Sequence, residues 1–558
     1  MAKVNNKALL KSIPSVDKIL NWQEIKELEN KIEHKHLLSI IRSKTDEFRG
    51  ELLAGSEMEN AREKISHGAT KSTEKEKSKR EFSVDSVPLW QTEHLKKMIL
   101  DEIKYLTEPY FRYAINGLGI VLHTGLGRAP FSKGIADILR DASNAYSRLQ
   151  IDDEGKRDDR YKKISKLLQI LTGCEAGIIV NNNAGATLLI LSALAKGKEV
   201  IVSRGQLIEI GGSFRIPDIM AESGCIMHEV GTTNRTHLKD YEQAIKVSHR
   251  ATKGTEKEKR KRKNSVGSVP LWQETPVETG AIIRVHQSNY HISGFTKEVS
   301  LSELVQLGKK YKIPVIDDLG SGALIDFSKY GLPKEPMVQE SLATGADVVC
   351  FSGDKLIGGP QSGIIVGKKG LIEKIKKNPL TRALRCDKLT NAALEATLQM
   401  FLHKEEDLIK EHRVMSMLLK PLKEIKTQVN GLAKKLNKEF GSILDITVKP
   451  AKSEIGGGSL STEELPTFVV SIKPKTTAET TRFHEINTRE SKEKSSENLC
   501  QSVDKNKNRI SAQDLAKLLR QYKIPIFGRV AEDSLLLDFR TILKGEEKII
   551  IQAFHDIL

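Results

Sequence analysis

Five short β-branched runs, separated by stretches of helical periodicity, limit this chain more than any other feature. They are "AGIIV" (176–180), "EVIVS" (199–203), "AIIRV" (281–285), "PVIDD" (314–318) and "DVVCF" (347–351). Each is too short for a stable helix and apolar enough to be buried on both faces. Such an alternation predicts an α/β domain, a mostly parallel sheet with helices on both faces, over residues 113–400. Residues 1–112 carry helical patterns such as "NWQEIKELENKIEHKHLLSIIRSKTDEF" and predict a helical N-terminal domain. Residues 401–558 open on a long helix and then mix "TFVVSIK" and "SLLLDF" with further helix, which predicts a small α+β C-terminal domain. A chain of 558 residues is long enough for two or three cores.

The stretch "SHGATKSTEKEKSKREFSVDSVPLWQ" (66–91) recurs as "SHRATKGTEKEKRKRKNSVGSVPLWQ" (248–273), identical at 20 of 26 positions. Both copies are rich in lysine and lack either periodicity, so they read as disordered surface insertions. A third polar run at 487–509 has the same character. These loops change the meaning of the net charge of +16. Residues 67–81 hold five Lys or Arg against three Glu, and 249–263 hold eight against two, so half the excess lies in two loops. RNA contact is one reading of the loops; tolerated insertion, cheap in loop entropy, is the favoured one.

The five cysteines are scattered and no CxxC pair occurs, so neither a metal site nor a disulfide framework is indicated and a reduced, cytoplasmic setting is expected. No apolar run reaches membrane-spanning length, and the first residues lack a signal-type apolar core.

In an open α/β sheet, ligands gather at the carboxyl ends of the strands. Lys355 follows "DVVCF", Asp318 closes "PVIDD", and "NNNAGATLLILSAL" (181–194) leads from "AGIIV" straight into a helix. Free N–H groups at a helix start favour an anion, and the small residues Ala184 and Gly185, beside Asn182 and Asn183, let a phosphate come close. Each element has a plainer meaning: a lysine after a strand is usually a solvated end, and an Asp pair is often a turn former. Together they describe a pyridoxal phosphate site. Lys355 would bond the aldehyde, Asp318 would pair with the ring nitrogen, and Ser352 would help hold the phosphate.

Longer strings carry a resemblance. "VLHTGLGRAPFS", "VNNNAGATLLILSAL", "HEVGTTNRTHLKDYEQAI", "DLGSGALIDFSKYGLPKEPMVQE", "FSGDKLIGGPQSGIIVGKK" and "NPLTRALRCDKLTNAALEATL" closely resemble the bacterial selenocysteine synthases, L-seryl-tRNA(Sec) selenium transferases of the fold-type I pyridoxal phosphate superfamily. The likeness is strongest over 110–405 and continues through "EIGGGSL" and "IPIFGRVAEDSLLLDFR". The chain departs from the family pattern in "INGLGIVLHTGLG", "GKRDDR" and "VHQSNY", and the two repeats are additions to it.

The resemblance implies that Lys355 carries the cofactor and Asp318 pairs with its ring. It implies that Arg128, Arg382 and Arg385 hold the selenium donor, selenophosphate, with Arg382 and Arg385 expected on one helix face. Asp354 also matches a family position, without a role to assign. The implied reaction turns seryl-tRNA(Sec) into selenocysteinyl-tRNA(Sec) by elimination of water and addition of selenium to a dehydroalanyl-tRNA. The helical N-terminal domain would read the tRNA, and a dimer-based homo-oligomer, a decamer, would form. The readings set against it are a pyridoxal phosphate lyase or transferase acting on a free amino acid and a non-catalytic tRNA-binding relative.

Overall fold

The computed structural model describes residues 10, 13–66, 89–210, 214–248, 277–287, 292–458, 464–475 and 510–558. The polar run at 487–509 lies outside them. So do both copies of the repeat, except at their edges: Ser66 ends one helix, Leu89–Gln91 begin the next, and Ser248 is helical.

Two compact units divide the chain, Met1–Tyr113 and Ala114–Leu558. In the first, the described helices are Val16–Leu20, Gln23–Glu29, His34–Ser66 and Leu89–Thr107. Leu37 and Ile41 on one long helix and Leu95, Ile99 and Ile103 on the other recur at the four-residue spacing that lines one helix face. They bury together with Ile19, Ile25 and Phe48.

The second unit begins with β1 (Ile115–Gly117), followed by β2 (Ala176–Val180) and β3 (Glu199–Ser203). A small hairpin, β4 (Glu209–Ile210) and β5 (Phe214–Arg215), precedes β6 (Ile226–Val230) and β7 (Thr279–Val285). Then come β8 (Val315–Gly320), β9 (Val348–Ser352) and β10 (Gly363–Gly367). The last four are β11 (Leu444–Glu454), β12 (Glu464–Pro474), β13 (Ile526–Ala531) and β14 (Ser534–Asp538).

Seven strands form the large sheet in the order β2-β10-β9-β8-β7-β3-β6. All neighbours pair parallel except β10, which is antiparallel to both β2 and β9. The exception follows from chain length. Only ten residues join β9 to β10, fewer than a parallel crossover with its helix requires. Both faces are covered, as the alternation of apolar runs with helical stretches predicts. Val200 and Val202, Ile283 and Ile316 enter one core, while their neighbours Ile201, Ile282 and Val315 enter another on the opposite side. The edge strand β6 was not foreseen. Its sequence "IMHEV" is exposed along most of its length, so it lacks the continuous apolar signal of the central strands.

The smaller sheet runs β1-β13-β14-β12-β11. Its first strand comes from the start of the unit and pairs parallel with β13, Ile115 facing Ile526. Helices Leu422–Phe440, Ala512–Gln521 and Glu546–Ile557 bury Leu436, Leu519 and Phe554 against it. Among the described residues, no helix is long and apolar enough to cross a membrane.

Candidate active site

Lys355 is 6% exposed, in the turn that leaves the carboxyl end of β9. The turn is closed by its own backbone: Gly353 N–H donates to the Ser362 carbonyl at 2.8 Å, Gly359 N–H to Gly353 at 2.8 Å, and Gly358 N–H to Lys355 at 2.9 Å. A second support comes from His412, whose Nε2 bonds the Ile357 carbonyl at 2.8 Å. Gly358 has φ +63°, and a Cβ there would collide with the His412 ring, so both the turn and its support require glycine. Burial pushes the Lys355 amine below its ordinary pKa, and the nearby Arg128 guanidinium pushes in the same direction. Asp354, Asp318 and Glu335 oppose them.

His412 is buried, and burial lowers its pKa from 6.5 to about 4. The unfolded ring takes a proton near pH 6.5 and the folded ring only near pH 4. Its contribution is therefore fully present above about pH 6.5 and lost as the pH falls toward 4, amounting to about 3 kcal/mol. Denaturant unfolding across that window should show the loss. His412→Gln, which keeps a donor for the Ile357 carbonyl, should flatten the profile by a comparable amount; an unchanged profile would show that the ring does not titrate there.

Asp318 lies near the carboxyl end of β8, beside β9, with Cys350 as its register partner. Three donors converge on its carboxylate: Asn183 Nδ2 at 2.9 Å and Gly320 N–H at 3.1 Å on Oδ1, and Thr187 Oγ1 at 3.0 Å on Oδ2. Asn183 and Thr187 are one helical turn apart on helix Asn183–Ala195, so a single helix face grips the carboxylate. Burial still pushes its pKa up. The preceding residue, Asp317, turns to the other face and pairs with Arg284 at 3.0 Å.

Asn182 caps the same helix, its Oδ1 accepting the Gly185 N–H at 2.8 Å, and its carbonyl takes the Ala186 N–H at 3.0 Å. Of the four amides that open the helix, those of Asn183 and Ala184 have no partner among the described residues and are left for an anion. Gly363 of β10 lies against this start, in register between Val180 and Ser352, and any side chain there would strike the Asn182 carbonyl. Ser352 is buried at the end of β9.

Arg128 stands beside this pocket. A 3-10 turn at Thr124–Leu126, capped by His123, places it at φ 69°, a left-handed conformation that costs a non-glycine residue roughly 1 kcal/mol or more. Its Nε lies 3.4 Å from Asp354 Oδ2, and its other end bonds the Leu122 carbonyl at 3.4 Å. Asp354, to which sequence reasoning gave no role, is thus the residue that holds Arg128 next to Lys355.

Arg382 and Arg385 do not share a helix face. The helix Leu380–Ala383 stops after four residues, because the Leu384 carbonyl accepts the Asn181 N–H at 3.0 Å. That bond carries the segment across the start of helix Asn183–Ala195, and both arginines are exposed there.

The residues fit pyridoxal phosphate. Among the described residues Lys355 and Asp318 are buried, and neither has an opposite charge within ion-pair distance. Among the described residues, Asn183 Oδ1 and His286 Nδ1 are buried and have no hydrogen-bond partner. Buried charges without an ion pair and buried polar atoms without a hydrogen bond are costly, and these four, all at the carboxyl-end side of the large sheet, call for a polar occupant.

His286 escaped the sequence reading. It follows β7, its N–H donating to the Asp318 carbonyl at 2.8 Å. Burial, then Arg284 and Lys355, press its pKa down to about 4, so the ring is neutral near pH 7. The rule that found Asp318 and Lys355 at strand ends would have found it too. Thr187 was also missed; its four-residue spacing from Asn183 was the available signal.

The family profile described as L-seryl-tRNA selenium transferase matches residues 114–252 and 273–501, and the break between them falls inside the second lysine-rich repeat. The L-seryl-tRNA(Sec) selenium transferase of Alkaliphilus oremlandii (strain OhILAs) is 40% identical over 559 residues, covering all of both chains. That of Carboxydothermus hydrogenoformans is 39% identical, covering 96% of this chain and 95% of its own. Among solved structures, D-glucosaminate-6-phosphate ammonia-lyase aligns with a TM-score of 0.47 and 17% identity, over 82% of this chain and 97% of its own. With a profile match through most of the second unit and relatives this similar from end to end, the chain belongs to the L-seryl-tRNA selenium transferase family.

Proposed function

We propose that the protein converts serine esterified to the selenocysteine tRNA into selenocysteine on the same tRNA, with pyridoxal phosphate as cofactor and selenophosphate as selenium donor. The observation that carries the reading is the pair of buried, ion-unpaired charges, Lys355 and Asp318, at adjacent strand ends in a chain of this family. When bound, pyridoxal phosphate supplies an aldehyde for a lysine amine and a ring that accepts the electron pair released at an amino acid's Cα.

Lys355 Nζ would hold the cofactor and, once displaced, take the Cα proton. Its lowered pKa suits it to act as a base. Asp318, held by Asn183, Thr187 and Gly320, would keep a proton on the ring nitrogen. The Asn183 and Ala184 amides, with Ser352, would receive the phosphate. Arg128, positioned by Asp354, together with Arg382 and Arg385, would bind the phosphoanion of the selenium donor, for which guanidinium forks are suited. The helical first unit would recognise the tRNA, and the protein would act in the cytoplasm as a dimer-based homo-oligomer.

The deciding experiment supplies purified protein with selenophosphate and either seryl-tRNA(Sec) or free serine. Selenium should appear on the tRNA and not on free serine. Transfer to free serine, or to neither, would defeat the reading.

A further inference from the structure

At the carboxyl ends of β3 and β7 a cavity of about 190 Å³ reaches from the surface to His286. Two cations stand on its rim, Arg235 and Lys297. Their backbones form a parallel bridge, fixed by Thr236 N–H to the Lys297 carbonyl at 2.8 Å and Lys297 N–H to the Asn234 carbonyl at 3.0 Å. Like charges directly opposite each other on paired backbones are destabilising. Among the described residues neither has a carboxylate within ion-pair distance, whereas Arg284 in the same cavity is already taken by Asp317. Glu298 is the one carboxylate among the lining residues. Two residues before Lys297 stands Phe295, 89% exposed, its carbonyl held by Asn234 Nδ2 at 2.7 Å.

An exposed aromatic face beside paired cations is the arrangement by which proteins hold unpaired nucleotides, bases on the ring and phosphates on the cations. The cavity is smaller than the roughly 300 Å³ that a whole small-molecule ligand occupies. It therefore suits part of a longer ligand lying across the surface. Its floor, His286, is bonded through its backbone to Asp318. We propose that this rim is the track for the unpaired 3′ end of the aminoacylated RNA: Arg235 and Lys297 take its phosphodiesters, Phe295 stacks one of its bases, and the esterified serine is thereby delivered toward Lys355. The proposal rests on the tRNA reading above and deepens it by giving the site a means of telling RNA-borne serine from free serine.

The test measures binding of full-length tRNA(Sec) and of the same RNA lacking its unpaired 3′ nucleotides to the intact protein, by anisotropy across a salt series. Wild type should prefer the full-length RNA by about tenfold. Arg235→Gln with Lys297→Gln should erase the preference, leave truncated-RNA binding unchanged, and lower the salt slope for full-length RNA by about 1.4. Phe295→Ala should abolish the quenching of a 2-aminopurine placed in the 3′ tail. Equal preference in wild type and the double variant would overturn the proposal. So would a response to the cations but not to Phe295, which would leave the rim a phosphate contact with no stacked base. Failure of wild type to bind either RNA would instead overturn the tRNA reading, and the track with it.

Discussion

Replacing Lys355 with alanine is expected to end turnover while leaving tRNA binding within about twofold of wild type by gel shift. Two functions leave with one amine: the point of attachment for the cofactor aldehyde and the base for the Cα proton. Loss of a positioned base alone costs about 10²–10⁴-fold in rate. The substitution also removes a buried amine that the surrounding structure holds below its ordinary pKa, so the folded protein should be no less stable. Borohydride treatment of wild type should leave a pyridoxyl mark on the peptide containing Lys355 and none on the variant. Undiminished selenium incorporation, or a mark elsewhere, would remove Lys355 from the chemistry.

Asp318→Asn should be nearly as damaging, by a different route. The amide keeps the shape and can still accept from Thr187 or Gly320, but it presents no charge to a ring nitrogen. Removing one preorganised electrostatic partner of this kind costs about 10²–10³-fold. Cofactor affinity, followed by the visible absorbance of the bound cofactor during dialysis, should fall together with turnover. Asp318→Ala should additionally destabilise the fold, since it strands three donors, each at about 1–3 kcal/mol when buried and unpaired. Asp317→Asn is the control. It disturbs the Arg284 pair on the other face and should affect stability more than cofactor retention.

The central strands were legible because a strand buried on both faces needs an apolar run, and β2, β3, β7, β8 and β9 each hold a buried stretch of apolar, mostly β-branched residues. Lysine and aspartate at the ends of such runs then stood out as misplaced charges. What escaped was whatever lies just past a run or depends on a partner far along the chain. His286 sits one residue beyond β7, Thr187 hides inside an apolar helix, and β6, an edge strand, is exposed along most of its length and carries no continuous apolar run. The helix expected to align Arg382 with Arg385 is cut short by a bond from Asn181, two hundred residues earlier, which no local pattern records. The role of Asp354 was hidden for the same reason, its partner Arg128 being distant in sequence.

The pairing of β1 with β13 has a consequence for how the protein is made. Ile115 leaves the ribosome long before Ile526 exists, so the small sheet cannot close until synthesis is almost complete. Until then β1 is an unsatisfied edge, open to wrong pairing between nascent chains, and the last step of folding is the slow closure of a very long loop. A chain that stops short of β13 would keep Lys355 and Asp318 but carry an orphan strand just before the segment that holds Arg128, and would be prone to clump rather than simply to lack its tail.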